Sequence, residues 1–346
     1  MKNKVIVMKR YSAMIVAMSM MFGGGIGCVS AADQTGRAPA AVRELDRALM
    51  RGAARDAAIR ILIEASQGDD AALRCNAIEA MQPLPDRALP LTQRGLGDAN
   101  AAVRFAAVVT AGMLKFNTLS QAIGPLMTDA NPSVRAAARY AMHTMGERVD
   151  LTPLGDMLVS QDAGLRANVA MLLGLIGDKS AIPMLKQTAG VPMPRVDAAR
   201  AAVVRCQVAE AVVRLGDNSD LDTLRAGAYN SFGEVRVLSI NAMGEVKDER
   251  MSPALRQMLS TPEEPPEVKL AAATALARMG DQSGLSVALQ FSADPNAVIR
   301  AQAAWGLGWF KDPRSFDRLI KLLGDSNPAV RVATAASIVR QTAQTP

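Results

Sequence analysis

Residues 324–340, GDSNPAVRVATAASIVR, decide the fold because a version of this stretch returns along the chain about every thirty-one residues. Asp325, Asn327 and Pro328 predict a turn that opens a helix. The Asp side chain accepts hydrogen bonds from free backbone amides, and Pro tolerates the first helical turn. The apolar and small residues after this turn recur at helical spacing, which predicts that one side of the helix faces a core.

Each copy of the stretch carries a basic residue, which we call the anchor. The nine anchors are Arg74, Arg104, Arg135, Arg166, Arg205, Arg236, Lys269, Arg300 and Arg331. Their successive spacings are 30, 31, 31, 39, 31, 33, 31 and 31 residues. A fixed period of this length is typical of stacked units that are too small to bury an apolar face alone. We therefore predict an all-α solenoid of about nine units, each built from two antiparallel helices.

The composition agrees with stacked helices in close contact. Hydrophobic residues make up 49% of the chain, but aromatic residues make up only 3%. The core must therefore be built from small and aliphatic side chains, which favours Ala-rich helices. At about 10 Å per unit, nine units predict a stack about 90 Å long.

The first 31 residues have the layout of an export signal: a basic start, an apolar run over residues 13–22 and small residues that end at Ala31. Three outcomes stay open. The leader is cleaved after Ala31, or it is cut and lipidated at Cys28, or it is retained as an anchor. Residues 25–28 resemble a bacterial lipobox, although Gly25 stands where a branched apolar residue is usual. Several glycines argue against retention in the membrane.

We therefore predict a leader over residues 1–31, a linker and N-terminal capping helix over 32–54, and the solenoid over 55–346. The expected location is the periplasm or the face of the cell envelope, with membrane contact only through the leader or a lipid. The net charge of +6 comes largely from Lys2, Lys4, Lys9 and Arg10. Because the basic character belongs to the leader, we expect no nucleic-acid binding.

An acid lies twelve residues after seven of the nine anchors. These acids are Asp86, Glu147, Asp178, Asp217, Asp248, Asp281 and Asp312. A glycine precedes the acid in four units, at Gly146, Gly177, Gly216 and Gly280. We predict that the glycine ends one helix in the left-handed conformation and that the acid caps the next helix.

A second set of acids lies six residues before an anchor. The pairs are Asp98 with Arg104, Asp129 with Arg135, Asp294 with Arg300, and Asp325 with Arg331. We predict a structural ladder in which these turn acids pair with anchors of the same or the next unit, because bidentate pairing suits a repeated joint. The alternative is a basic binding stripe.

The repeated pattern is an apolar residue, an Arg, an Ala-rich helix, Gly-Asp, and a start such as Ala181-Ile182-Pro183. Over about residues 55–340 it resembles the HEAT-like repeats of phycobiliprotein lyases. The resemblance implies a right-handed superhelix with the anchor helices on the concave side, and for most members it implies binding of other proteins. Some relatives attach bilins, and one hydroxylase branch binds two irons through His-Glu pairs. Thr144 comes after the single histidine, His143, so that iron site is not expected.

Positions two, five and nine after each anchor form a stripe that helical spacing turns away from the core. We predict that this stripe is the concave surface and that it binds a partner. Its candidate contact residues are Met113, Tyr140, Met171, Arg214, Trp305 and Trp309. Large exposed aromatic residues are typical interface anchors. The alternative for the two tryptophans is that they cover the C-terminal end of the core.

The spacing from Arg166 to Arg205 contains eight extra residues, and the segment Ala189 to Val196 reads AGVPMPRV. Insertions in solenoids map to edge loops, often on a binding rim, so Pro192 and Pro194 are further candidate contacts. The alternative is a tolerated surface loop. A shorter excess, TPEEPPE at residues 261–267, predicts a rigid acidic turn with no role beyond spacing.

Catalytic motifs are missing from the sequence. It contains no Gly-rich phosphate loop, no Gly-x-Ser-x-Gly elbow and no CxxC pair. His143 has no nearby metal-ligand partners, and Cys75 and Cys206 lie four units apart, too far to bridge. We therefore expect no metal or cofactor and predict a non-catalytic scaffold that binds a protein or peptide. The alternative is a lyase-like or other enzyme with a site assembled across repeats.

Overall fold

The computed structural model describes residues 40–343, with side chains from residue 48 onward. The predicted leader, the lipidation site at Cys28 and most of the linker lie outside this part. The α-helices are α1 (Ala40–Ala65), α2 (Ala71–Ala80), α3 (Pro85–Gly95), α4 (Ala101–Leu114), α5 (Ser120–Ile123), α6 (Pro132–Thr144), α7 (Thr152–Leu158), α8 (Ala163–Ile176), α9 (Ile182–Ala189), α10 (Ala198–Arg214), α11 (Leu221–Gly227), α12 (Gly233–Val246), α13 (Ser252–Ser260), α14 (Pro266–Arg278), α15 (Leu285–Phe291), α16 (Ala297–Leu307), α17 (Pro313–Leu322) and α18 (Pro328–Ala343). Short 3₁₀ helices cover Asn117–Leu119, Gly124–Thr128, Lys179–Ala181, Asn218–Asp220 and Glu249–Met251.

Each unit consists of one odd-numbered helix and the even-numbered helix that comes after it, which gives nine units over residues 40–343. The even-numbered helices carry the anchors, and each packs on the next along the chain. The predicted all-α solenoid of paired helices is confirmed. No helix in the part described has the length and apolar character needed to cross a membrane. The expected boundary at residues 54 and 55 falls inside α1.

Short polar side chains start most of the even-numbered helices. Side-chain oxygens that accept from backbone amides of the first turn belong to Asp70, Asn100, Asn131, Asp162, Asp197, Asn296 and Asn327. The predicted left-handed glycines are confirmed, since Gly146, Gly177, Gly216 and Gly280 have φ of 81° to 95°. These caps satisfy amides and carbonyls that a helix leaves unpaired at its ends.

The predicted acid caps are also confirmed in part. Asp178, Asp217 and Asp312 each accept a hydrogen bond from the backbone amide two residues further on. The prediction is wrong for Asp86, which lies within the first turn of α3, and for Asp248, whose carboxylate makes no capping hydrogen bond and pairs with Arg225. Proline at the first helical position fixes the start of α3 without a side-chain cap.

Neighbouring even-numbered helices approach closely where glycine stands eight residues after the anchor. A Cβ added at Gly244 would lie 2.7 Å from the Ala275 Cα of the next unit, and one at Gly174 would lie 3.1 Å from the Ala211 Cα. Odd-numbered helices touch one another far less. Because the even-numbered layer is the tighter one, the stack curves with these helices on the inside, and we call them the inner helices.

The curvature brings the two ends of the stack together. Inner helix α18 packs on both α1 and α2. In the outer layer, the Arg51 guanidinium of α1 lies 4.5 Å from the centre of the Phe316 ring in α17. The expectation of a stack about 90 Å long is therefore wrong. Nine units complete a closed ring, which corresponds to a turn of about 40° per unit.

Burial in the last helix supports closure independently. Positions one and eight after the anchor face the following unit, as Cys206 shows by its 3.1 Å contact with Ser239 and as Gly244 shows by its approach to Ala275. In α18 these positions are Val332 and Val339, which are 2% and 0% exposed. In an open stack no following unit would cover them.

Candidate functional site

The turn acids and anchors form a ladder between units on one edge of the ring. Arg74 donates from Nε and Nη2 to the two carboxylate oxygens of Asp98, at 2.8 and 2.9 Å. Arg104 donates from the same two nitrogens to the carboxylate oxygens of Asp129, each at 2.8 Å. Arg300 binds Asp325 in the same way at 2.9 Å. Each of these three anchors therefore reaches the acid of the next unit. These bidentate pairs hold the units in register.

The third guanidinium nitrogen of these anchors donates to the backbone of its own unit. Arg104 Nη1 donates to the Asp98 carbonyl at 2.8 Å. Arg135 and Arg331 donate in the same way to the carbonyls of Asp129 and Asp325, at 2.7 and 2.8 Å. The Asp294 carbonyl accepts from Arg300 at 2.8 Å. The predicted ladder residues are thus engaged with one another rather than facing solvent as a basic stripe.

Electrostatics in the ladder follow from this pairing. Burial alone would raise the pKa of the Asp98 carboxyl, but hydrogen bonds from Arg74 and the Asn100 amide outweigh burial and lower that pKa. The pKa of Asp129 is lowered for the same reasons, by Arg104 and the Asn131 amide. These acids are therefore charged at neutral pH and act as fixed partners of the anchors.

The ladder changes in units 4, 5 and 6. Ser160, Ala199 and Asn230 stand six residues before the anchors of these units, where units 2, 3, 8 and 9 carry Asp. Arg166 is fully buried, and its guanidinium donates to the carbonyls of Ser160 at 2.8 Å and of Val191 at 2.9 Å. This burial lowers the pKa of Arg166. The Val191 carbonyl, in the insertion of unit 5, thus accepts from the unit 4 anchor in place of a turn acid.

The anchor of unit 6 pairs with an acid of the second excess segment, which belongs to unit 7. Arg236 donates to both carboxylate oxygens of Glu264 at 2.7 Å. The prediction that residues 261–267 serve only as a spacer is wrong, because Glu264 acts as the turn acid of unit 7 and pairs with the anchor of unit 6. The spacing could have indicated this, since Glu264 lies only one position later in its unit than the usual acid.

Exposed apolar side chains collect where the ladder changes. Among side chains of residues 48–343, the exposed large apolar ones are Leu49, Met50, Val159, Tyr229 and Phe232. Val159, Tyr229 and Phe232 lie in the turns before the inner helices of units 4 and 6, at 46%, 63% and 37% exposure. The exposed Pro192 and Pro194 lie in the corresponding turn of unit 5. We call Val159, Pro192, Pro194, Tyr229 and Phe232 the edge patch.

The stripe predicted as a concave surface is mostly covered. Tyr140 is 2% exposed, and the stripe residues Asn168, Asn241 and Thr274 are also buried. Met113 and Met171 are half-buried and pack against the core, and Arg214 is paired with Glu210 and Glu245. Tyr140 therefore offers no surface to a partner, because its ring packs against Gly112 of the preceding inner helix.

The two tryptophans form an edge-to-face pair with ring centres 6.1 Å apart. The Arg278 guanidinium lies 4.1 Å from the Trp309 ring centre, and the Arg340 guanidinium lies 4.4 Å from it. Both arginines also lie over Trp305, at 5.5 and 5.3 Å. Cations on aromatic faces at this distance stabilise the joint between α14, α16 and α18. This arrangement favours the alternative in which the tryptophans cover the core.

A row of charges extends this joint along the ring. Arg278 pairs with Glu245 at 3.1 Å, Arg214 pairs with Glu245 at 2.9 Å, and Arg214 also pairs with Glu210 at 2.8 Å. Burial and the neighbouring Glu210 carboxylate raise the pKa of Glu245 to about 7, although both arginines act in the opposite direction. The row links α10, α12 and α14 through groups that partner one another.

The part of the chain described in the structure shows no group of three or more His, Cys, Asp or Glu that could hold a metal ion. Cys75 and Cys206 are free thiols, and burial raises the pKa of each to about 12. A thiol with so high a pKa is a poor nucleophile at neutral pH. His143 is exposed.

Comparison with known families gives one match. A model described as HEAT repeats matches residues 59–143, 227–295 and 285–344, which together are more than half of the chain. These ranges leave out residues 144–226, which contain units 4 and 5 with their altered ladder. No protein with a curated description matches by sequence.

Solved structures with similar folds are distant. An engineered protein from the Northeast Structural Genomics Consortium is 15% identical, with 84% of this chain and 95% of that chain covered and a TM-score of 0.33. The complex of CpcE and CpcF of phycocyanin lyase from Nostoc sp. PCC7120 is 18% identical, with 71% and 92% covered and a TM-score of 0.40. Human deoxyhypusine hydroxylase in complex with glycerol is 18% identical, with 75% and 97% covered and a TM-score of 0.36.

Proposed function

The chain belongs to the HEAT repeat family, and from that premise we propose that it is a non-catalytic scaffold that binds a protein or peptide partner. We further propose that it works in the bacterial cell envelope, because residues 1–31 have the layout of an export signal. Repeat units that stack into one rigid body suit this role, since neighbouring units present a continuous surface.

The observation that carries the proposal is the edge patch. Single exposed apolar residues are ordinary in soluble proteins and need no explanation. Here three of them, with two exposed prolines, occupy the turns of three consecutive units, and none of these three units has an acid at the ladder position. The edge patch takes the place of the buried stripe as the binding surface in this proposal.

The enzymatic alternative has no comparable support. A site assembled across repeats would bring titratable groups from several units together with room for a substrate. In the row formed by Glu210, Arg214, Glu245 and Arg278, the groups pair with one another across the units. Mutual pairing of this kind stabilises the ring and leaves the charges engaged.

Photo-crosslinking in living cells tests the proposal. A photoreactive amino acid is placed at Tyr229 or Phe232, and for comparison at Asn218 or Glu249, which are exposed in turns on the opposite edge. We expect both edge-patch positions to give the same protein adduct and the opposite-edge positions to give none. Mass spectrometry identifies the partner.

The identified partner then allows a quantitative measurement. We expect Tyr229→Glu to weaken binding of the purified partner at least about tenfold, because a charge replaces a central aromatic contact. Its thermal unfolding curve should match that of the unchanged protein, since Tyr229 is 63% exposed. Adducts that form only from Asn218 and Glu249, or from neither edge, would contradict the proposal.

A further inference from the structure

We propose that the edge patch binds an acidic peptide segment that carries apolar side chains. This inference rests on the proposed function and specifies the chemistry of the partner. It depends on the charge, exposure and spacing of the residues that surround the edge patch.

The first observation is an excess of positive charge in unit 5, over the insertion and the first half of α10. Residues 189–205 contain Arg195, Arg200 and Arg205 but only one acid, Asp197. Corresponding turns in units 2, 3, 8 and 9 carry one Asp and one Arg each, as in DANPSVR at residues 129–135. The excess is therefore confined to the unit at the centre of the edge patch.

The second observation is that the ring does not neutralise this charge. Arg195 and Arg205 are exposed, and no ion pair joins them or Arg200 to another group in the part of the chain that the structure describes. The Asp197 carboxylate instead accepts from the Arg200 backbone amide at 2.8 Å and caps α10. Arg205 occupies the anchor position, where Arg104 is paired with Asp129 at 2.8 Å. The unpaired arginines are thus available to an acidic partner.

The third observation is that the apolar and basic residues are held on one rigid edge. The buried Arg166 guanidinium donates to the Val159 carbonyl at 3.3 Å and to the Val191 carbonyl at 2.9 Å. One cation therefore fixes the turn of unit 4 to the insertion of unit 5. Pre-organised contacts of this kind reduce the ordering that binding requires.

The dimensions fit a short peptide. Neighbouring inner helices pack about 10 Å apart, so units 4 to 6 span about 20 Å. An extended chain rises about 3.3 Å per residue, so about six residues reach from Val159 to Tyr229. Carboxylates along such a segment can meet Arg195 and Arg205, while apolar side chains meet Tyr229 and Phe232. Charge complementarity would also speed encounter.

A nucleic acid fits these observations less well. Proteins that bind nucleic acid through phosphates commonly use about six to ten such contacts, and the turn of unit 5 offers only Arg195, Arg200 and Arg205. The neighbours of this turn are Val159, Tyr229 and Phe232 rather than further basic residues. The geometry therefore favours a peptide with both acidic and apolar side chains.

Selection from a phage-displayed library of random octapeptides tests the inference on the full chain. We expect peptides rich in Asp and Glu together with aromatic or aliphatic residues. The variant Arg195→Glu with Arg205→Glu should select basic peptides instead. The control variant Arg250→Glu with Lys311→Glu changes the net charge equally on the opposite edge and should select the same acidic peptides as the unchanged protein.

Fluorescence anisotropy with a selected peptide gives the magnitude. We expect Arg195→Glu with Arg205→Glu to weaken its binding at least about tenfold and the opposite-edge control to change it less than about twofold. Both variants should melt as the unchanged protein does, because the four replaced residues are exposed. Val159→Ser with Tyr229→Ser should also weaken binding.

Three results would overturn the inference: no enriched peptide, enrichment without acidic residues, or unchanged selection by the edge-charge variant. Tighter binding of an oligothymidine octamer than of the selected peptide would overturn it in favour of nucleic acid. If a partner crosslinked at Tyr229 binds the variant Arg195→Glu with Arg205→Glu as tightly as the unchanged protein, the proposed scaffold function stands. Only the proposal that the partner is acidic is then refuted.

Discussion

Val339→Asp is expected to lower the free energy of unfolding by more than about 3 kcal/mol, because it places a carboxylate where the closed ring leaves no room for water. Val339 is 0% exposed, in a helix that packs on α1 and α2 at the closure. Chemical denaturation monitored by circular dichroism measures the change.

Val159→Asp is the matched control for this prediction. It introduces the same charge in place of the same residue type, but Val159 is 46% exposed. We expect its effect to stay within about 0.5 kcal/mol, as is usual for surface substitutions. If Val339→Asp were as mild as Val159→Asp, the last helix would face solvent and the stack would be open.

Gly244→Ala is expected to lower the free energy of unfolding by about 2 to 3 kcal/mol. Its new Cβ would lie 2.7 Å from the Ala275 Cα and 2.9 Å from the Ala275 Cβ, so α12 and α14 would have to move apart. Added volume in a close-packed joint forces backbone shifts of this cost. The measurement is the midpoint and slope of urea denaturation.

Gly52→Ala provides a control with the opposite expected sign. Gly52 lies within α1, is exposed, and would have no atom within 4 Å of an added Cβ. Alanine favours helix over glycine by about 0.5 to 1 kcal/mol, so this variant should be more stable than the unchanged protein. Destabilisation by both changes alike would show that close helix approach is not what Gly244 provides.

Much of the fold could be predicted because its determinants are local. The anchors recur at a nearly fixed spacing, Asn and Asp cap helices within two or three residues, and Gly177 adopts a left-handed φ that costs other residues more. Each of these effects is set by a few consecutive residues. A sequence pattern therefore indicates the number of units and most of their helix ends, although the expected boundary at residues 54 and 55 falls inside α1.

Ring closure could not be predicted because it depends on small angles summed over nine units. The turn per unit is set by how closely pairs such as Gly244 and Ala275 approach, which spacing alone does not give. The same limitation explains why the stripe that includes Tyr140 was predicted to be an exposed surface although it is mostly covered. Helical spacing separates one face from another, but it does not show how closely neighbouring inner helices approach, and Tyr140 is buried where α6 packs on α4 at Gly112.

The sequence does mark the units of the edge patch, through residues at the ladder position that the spacing of the anchors alone does not single out. Ser160 and Asn230 stand where Asp98 and Asp325 stand in other units, and Ala199 replaces the acid beside the insertion. Loss of a ladder acid in consecutive units indicates that this part of the edge has a requirement other than pairing between units. The exposure of Tyr229 became evident only from the packing of its turn.

The closed ring is tested most directly by the distance between the first and last units in solution. Spin labels at Arg60 in α1 and Lys321 in α17, both exposed, are measured by pulsed electron paramagnetic resonance after Cys28, Cys75 and Cys206 are replaced. Closure predicts a distance below about 30 Å, since these outer helices are neighbours about 10 Å apart. A distance near 80 Å, as expected for nine units stacked about 10 Å apart in an open solenoid, would contradict the ring.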